Sequence, residues 1–179
     1  LATAVLDSFT RTPVDTERSL PNMREGDLLV GAFTNGQIGH HRPFVGAGDL
    51  CFDVGAHVGD RTRALRRLGA RVIAVEPQPA CLEWLTFSYR KDGAVTIVAA
   101  GVGEAEGRAT LLVSQRTPTV SSLSPTWVDS IRRAPRFAGV TWDERVEVPL
   151  TTLDALIGRF GRPVLCKLDV EGSELAALR

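Results

Sequence analysis

Four short runs in this chain, residues 50–54, 72–75, 95–99 and 164–168, are predominantly apolar without the in–out alternation of a half-solvated strand. Runs of this length and character suit strands buried on both faces. Helix-patterned stretches separate them. In 60–68, Ala64, Leu65 and Leu68 share one face and Gly69 supplies a natural stop. In 79–89, an early proline precedes a stripe of Leu82, Leu85 and Tyr89. Thr151-Thr152-Leu153-Asp154 has the spacing of a capping box and opens a helix with Leu153, Leu156, Ile157 and Phe160 inward. A last helix is expected over 171–179, with Leu175 and Leu178 on one side. Strands buried on both faces need helices on both faces, so from residue 49 onward the pattern predicts an α/β domain with a doubly wound, mostly parallel sheet.

Ligands of such sheets bind beyond the carboxyl ends of the strands. This directs attention to 53–59, 76–78, 100–103 and 169–173. Asp53-Val54-Gly55-Ala56-His57-Val58-Gly59 joins the first strand to a helix. Gly55 and Gly59 allow a tight turn and a close backbone approach, and the helix amino end behind them favours an anion. Glu76 closes the next strand, where a carboxylate can accept both ribose hydroxyls of a nucleoside. The pair, in this order, points to a nucleoside site. A pyrophosphate-binding turn needs Gly-x-Gly-x-x-Gly, whereas this turn has Gly-x-x-x-Gly preceded by an acid. Asp53 would repel a pyrophosphate and suit the ammonium of a methionine moiety, which favours S-adenosylmethionine over NAD.

The chain resembles the FkbM family of class I methyltransferases. The matching stretches are Phe52–Gly59, Val72–Pro77, Ala100–Glu104, Thr152–Leu156 and, most specifically, Lys167-Leu168-Asp169-Val170-Glu171-Gly172-Ser173-Glu174-Leu175. The resemblance spans 49–179 and implies a Rossmann-like sheet of seven strands in the order 3-2-1-4-5-7-6. The segments up to Arg179 supply strands 1 to 4. The expectation is therefore a methyltransferase domain at 49–179, truncated after strand 4, behind an N-terminal lead-in at 1–48. Strand 4 would then form a sheet edge, unusually apolar for one. The implied donor is S-adenosylmethionine, and the implied reaction is methylation of an oxygen on a small molecule, sugar or lipid-linked glycan. One departure is His57, where class I enzymes often have Gly and this family often has Asn.

The expected donor-binding residues are Asp53, Gly55, Ala56, His57, Gly59, Glu76, Pro77, Gln78, Gly101 and Asp169. For His57, direct ligand contact and a purely structural place in the turn are both open. Strand alternation puts Lys167, Asp169 and Glu171 on one side. Methyl transfer needs an aligned acceptor, and a hydroxyl acceptor gains from a base. Asp169 and Glu171 are the candidate bases, with Lys167 tuning them or binding substrate. A structural reading stands beside this one: Asp169 as a helix cap and Glu171 as a loop brace. The two carboxylates do not make a complete metal-ligand set, and no metal is expected.

Between two expected paired strands, 109–114 and 145–150, lies a long Ser-, Thr-, Pro- and Arg-rich loop carrying Trp127 and Trp142. A loop of that length in a compact domain is commonly functional. The tryptophans either line an acceptor pocket or pack the loop down.

Charge narrows the partners. Lys plus Arg and Asp plus Glu number 21 each, so the net charge is zero and nothing global favours nucleic acid or an anionic membrane. Arg63, Arg66 and Arg67 read as a solvated helix face. No apolar run approaches the roughly 20 residues of a membrane span. Cys51, Cys81 and Cys166 have no CxxC spacing and read as reduced core residues of a cytoplasmic protein, with a catalytic thiol as the sharper alternative. In the N-terminal stretch, 1–9 reads as a short helix, 27–33 as a strand and 34–37 as a turn, while His40 and His41 read as surface residues. The competing functions are a nicotinamide-dependent oxidoreductase and a non-catalytic nucleoside-binding domain.

Overall fold

The computed structural model describes residues 44–179 and the strand at 3–6. The expected strand at 27–33, the turn at 34–37 and His40 and His41 lie outside the described residues. In chain order the elements are β1 (Thr3–Leu6), β2 (Leu50–Val54), α1 (Asp60–Arg67), β3 (Arg71–Val75), α2 (Pro79–Tyr89), β4 (Val95–Val98), β5 (Gly101–Val102), β6 (Gly107–Val113), α3 (Pro125–Ile131), β7 (Glu144–Thr151), α4 (Leu153–Phe160), β8 (Leu165–Leu168) and α5 (Glu174–Ala177).

The main sheet runs β1-β8-β2-β3-β4, with every pairing parallel. Because side chains alternate across a strand, each strand feeds two cores. Phe52, Val54, Ile73, Val75 and Leu168 pack with Leu156 of α4 and Ala177 of α5. On the opposite face, Cys51, Val72 and Leu165 meet Leu65 of α1, and Ala74 meets Leu85 of α2. The fold is therefore α/β and doubly wound, as the apolar runs require. The order β4-β3-β2-β8 reproduces the 3-2-1-4 arrangement. Direction of travel reverses at β2, and a ligand crevice opens at such a switch point.

Several expectations need correction. Thr3–Leu6 is a strand, not part of a helix; it pairs with β8 from Thr3 opposite Leu165 to Leu6 opposite Leu168. β8 is consequently an interior strand and not an edge. The last helix begins at Glu174, because Glu171 and Gly172 take left-handed backbone angles (φ 48° and 95°) that an α-helix cannot contain. Ile157 is partly exposed and not packed inward, and Leu175 and Leu178 lie on the surface. On α4, Thr152 caps the helix as expected: Ala155 N donates to its Oγ1 at 3.0 Å.

β6 and β7 pair antiparallel from Gly107 opposite Leu150 to Val113 opposite Glu144, and β5 adds to β7 in parallel. This second, three-stranded sheet carries α3 and two short 3-10 turns in its long connection.

At the C-terminal end of α1, Arg66 is bound bidentately to Asp92, Nε to Oδ2 at 2.8 Å and Nη2 to Oδ1 at 3.0 Å. The same carboxylate accepts from Ala94 N at 3.1 Å. The Arg66 hydrogen bonds, aided by the Ala94 amide, hold the Asp92 carboxyl below its usual range. A depressed pKa means that the stabilisation is present above the unfolded-state value and is lost as pH falls through the folded one. Asp92→Asn should therefore cost about 1 kcal/mol at pH 7. That difference from wild type should shrink to nothing in urea titrations as the pH is taken below the carboxylate range.

Candidate functional site

At the end of β2 the chain is held from both neighbouring strands. Gly55 N and Ala56 N both donate to Val75 O of β3, at 2.9 and 3.0 Å. From the β8 side, Lys167 Nζ donates to Gly55 O at 2.7 Å and Val54 O at 3.2 Å. Gly55 has φ 73°, and a Cβ there would lie 1.9 Å from the backbone oxygen of Asp169. No other residue permits this approach. At the far end of the turn, Tyr89 of α2 donates its hydroxyl to Gly59 O at 3.0 Å.

Glu76 ties the two halves of the expected site together. Its Oε2 accepts from His57 N and its Oε1 from Gln78 N, both at 2.8 Å. The side chain sits at the carboxyl end of β3 and is 6% exposed. Burial pushes its pKa up, opposed by the Gln78 and His57 amides and the Lys167 charge. Each carboxylate oxygen has one amide and retains accepting capacity for a further donor. Gln78 is buried beside it, and Pro77 is partly exposed.

His57 has φ 51°, in the left-handed region. Gly adopts that region without cost and Asn with little, so either would sit at this position with less strain than His.

Asp53 is placed differently from the expectation. Its carboxylate is 0% exposed. Oδ2 accepts from Thr62 Oγ1 of α1 at 2.6 Å, and Oδ1 faces Lys167 Nζ at 3.3 Å. It lies beneath the turn among protein groups with no solvent-exposed surface, and its Oδ1 accepts no hydrogen bond. Lys167 is likewise enclosed, at 3% exposure. Thr62 was missed in the sequence, although its position three residues before Leu65 marks it as part of the buried face of α1.

Asp169 follows β8 directly. Its N–H donates to Val54 O at 3.2 Å, and its Oδ2 stands 3.8 Å from Lys167 Nζ. With a side-chain exposure of 24%, it is far more accessible than Asp53. Beyond it, Glu174 braces the loop by accepting from Val170 N and Gly172 N. An acid in the first turn of a helix is the signal that could have found it. Ser122 donates to Glu171 O at 2.6 Å. Trp127 covers Gly172 so closely that a Cβ there would lie 2.3 Å from the indole. The long insertion is thus seated on the Asp169–Ser173 segment. Trp142 packs within the insertion itself, donating Nε1 to Val120 O at 2.8 Å.

Gly101 is also covered by the insertion: a Cβ there would lie 2.5 Å from Leu123 and 3.0 Å from Leu150. The structure therefore brings together Gly55, Ala56, His57, Glu76 and Gln78 on one side and Lys167 and Asp169 on the other, while Gly101 lies in β5 as part of the second sheet. The three cysteines are free, and burial raises the thiol pKa of each, to about 12 for Cys51 and about 11 for Cys166. None has the thiolate character a nucleophile needs. Among the described residues no group of three or more His, Cys, Asp or Glu could hold a metal ion, and no helix is long and apolar enough to cross a membrane.

The model of the methyltransferase FkbM domain matches residues 53–179. The chain belongs to this family. The match includes the glycine turn, Glu76, the insertion and the Lys167–Glu174 segment. None of the curated proteins matches the chain. Several solved structures share part of it, and two of them show the extent of the likeness. One is a candidate rRNA methylase from Clostridium thermocellum, with 21% identity over 41% of this chain and 43% of the other and a TM-score of 0.35. The other is a candidate RNA methyltransferase from Pyrococcus horikoshii, with 20% identity over 36% and 35% and a TM-score of 0.32. The chain thus spans less than half the length of either, and likenesses of this extent carry no argument about the acceptor.

The turn geometry sets the tolerance of its residues. Gly55→Ala should destabilise by more than about 3 kcal/mol, since its methyl meets backbone and not a movable side chain. His57→Asn should be neutral or stabilising by up to about 1 kcal/mol, and His57→Val should cost about 1–2 kcal/mol. Urea denaturation of the three variants checks the order.

Proposed function

We propose that this domain is an S-adenosylmethionine-dependent methyltransferase that acts on an oxygen of a small molecule, sugar or lipid-linked glycan. The observation that carries the donor reading is Glu76, whose carboxylate is bonded to the glycine turn through His57 N while its oxygens keep lone pairs for the hydroxyls of a ribose. Family membership supports the reaction class. The oxygen acceptor rests on the family resemblance.

The residues present fit a nucleoside donor. Glu76 would hold the ribose, and the turn at 55–59 would face the amino-acid portion. Ala56, Gln78 and Pro77 would border the nucleoside. Bound S-adenosylmethionine supplies an electrophilic methyl on a sulfonium centre. The chain's own contribution is placement. The two-sided hold on Gly55 keeps the turn from shifting when ligand arrives, and a preorganised site lowers the cost of binding. Asp169, accessible and next to the turn, is the group placed to accept a proton from an acceptor hydroxyl. Glu171 lies behind it, on a backbone held by Ser122. Trp127 and the insertion would form one wall of the acceptor side.

Calorimetric titration with S-adenosylhomocysteine and with NADH tests the donor. Binding of NADH alone would sink the reading. Glu76→Ala should weaken S-adenosylhomocysteine binding by about 1–3 kcal/mol, the range for losing charge-assisted hydrogen bonds; an unchanged affinity would remove Glu76 from the site. Asp169→Asn should lower transfer of a labelled methyl group to a panel of hydroxyl acceptors by about 10²-fold or more. Its S-adenosylhomocysteine affinity should stay within about threefold of wild type. Equal losses in both would show that Asp169 serves the fold.

A further inference from the structure

We propose that Lys167 is a positioning residue, which acts on the donor through the backbone of the glycine turn and does not touch acceptor or donor. The inference rests on the reading of this turn as a donor site.

Asp53 and Lys167 are register partners on the adjacent parallel strands β2 and β8. Their side chains rise on the same face, among Cys51, Val72, Ala74 and Leu165, all buried. A pair of apolar residues would fill such a row at no electrostatic cost, and buried ion pairs are seldom more stable than the apolar packing that could replace them. The charges at these two positions therefore call for a reason other than core stability. The contacts of Nζ provide one. An ammonium has three protons, and within reach stand Gly55 O at 2.7 Å, Val54 O at 3.2 Å, Asp53 Oδ1 at 3.3 Å and Asp169 Oδ2 at 3.8 Å. Two of these contacts are hydrogen bonds, to the Gly55 and Val54 carbonyls, and the two carboxylates are ion-pair contacts.

Two of these acceptors are consecutive carbonyls at the point where β2 stops and the turn begins. Gly55 N is bonded to β3, and Gly55 O is bonded to the β8 side chain. Lys167 thus extends the sheet's grip by one residue past the strand end. It fixes the peptide that precedes His57, whose own N–H is held by Glu76. Asp53 compensates the charge and, through Thr62, joins it to α1. The remaining contact, to Asp169, links the turn to the carboxylate on the acceptor side.

The test compares two variants of the full chain. Lys167→Met alone would leave Asp53 as an uncompensated buried carboxylate, so it is made only in the Asp53→Asn background. Asp53→Asn keeps Lys167 on the carbonyls, and Asp53→Asn with Lys167→Met does not. S-adenosylhomocysteine is titrated into each, and thermal midpoints are recorded in parallel. Asp53→Asn is expected to bind within about threefold of wild type. The double variant should bind about tenfold more weakly, equivalent to about 1.4 kcal/mol, with a thermal midpoint no lower than that of Asp53→Asn, since it no longer buries an unpaired ammonium. Lys167→Gln in the same background, which can still donate to Gly55 O, should fall between them. Equal affinity in Asp53→Asn and the Met double variant overturns the proposal. If the Met variant does not fold, hydrogen exchange at Gly55 and His57 decides in the Gln variant: protection equal to that of Asp53→Asn overturns the proposal, and faster exchange supports it. Wild type that fails to bind S-adenosylhomocysteine defeats the donor-site reading itself, a different outcome from equal affinities among binding variants.

Discussion

The carboxyl end of this sheet depends on one close backbone approach. The peptide at Gly55 runs against the carbonyl of Asp169, so the turns that follow β2 and β8 share a common wall. Strand pairing normally ends with the strands. Here it is prolonged by the Val75 carbonyl on one side and the Lys167 ammonium on the other. The result is a turn in which the amides of Gly55, Ala56, His57 and Gly59 and the carbonyls of Gly55, Ala56 and Gly59 have partners within the protein.

Burial of charge is the second constraint, and it acts oppositely at two carboxylates. Asp53 is enclosed but faces Lys167 and accepts a hydrogen bond from the Thr62 hydroxyl, so its charge is compensated within the protein. Glu76 is nearly as buried, and its burial outweighs the two amides and the distant Lys167 charge, which leaves its pKa raised. A carboxylate held by amides but incompletely compensated gains from additional hydrogen-bond donors. Two vicinal hydroxyls are such donors. The same physics that pairs Asp53 with Lys167 supports the proposed role of Glu76.

The insertion between β5 and α4 closes the arrangement. Leu123 and Leu150 occupy the space beside Gly101, and Trp127 occupies the space beside Gly172. Ser122 meanwhile bonds the carbonyl of Glu171, a residue in the left-handed region. Such a conformation persists when its surroundings over-determine it, and here the surroundings are the insertion and Glu174. The backbone that carries Asp169 and Glu171 is therefore shaped by residues some fifty positions earlier in the chain.

The apolar runs at 50–54, 72–75 and 164–168 and the helix stripes between them were sufficient to read a doubly wound sheet, because burial on both faces leaves a compositional mark that survives in one dimension. The glycine turn and Glu76 were legible for the same reason: a strand end followed by glycine, or closed by an acid, is a local pattern. What each charged side chain faces was not local. Asp53 and Lys167 are more than a hundred residues apart and become neighbours only through β2–β8 register, so no spacing rule could show that they neutralise each other beneath the turn. The pairing of Thr3–Leu6 with β8 and the seating of Trp127 on Gly172 are of this kind too. Sequence determined which residues cluster at the carboxyl ends of the strands; only the tertiary structure decided which of them look outward, because exposure depends on what the neighbouring strand and the insertion place on top.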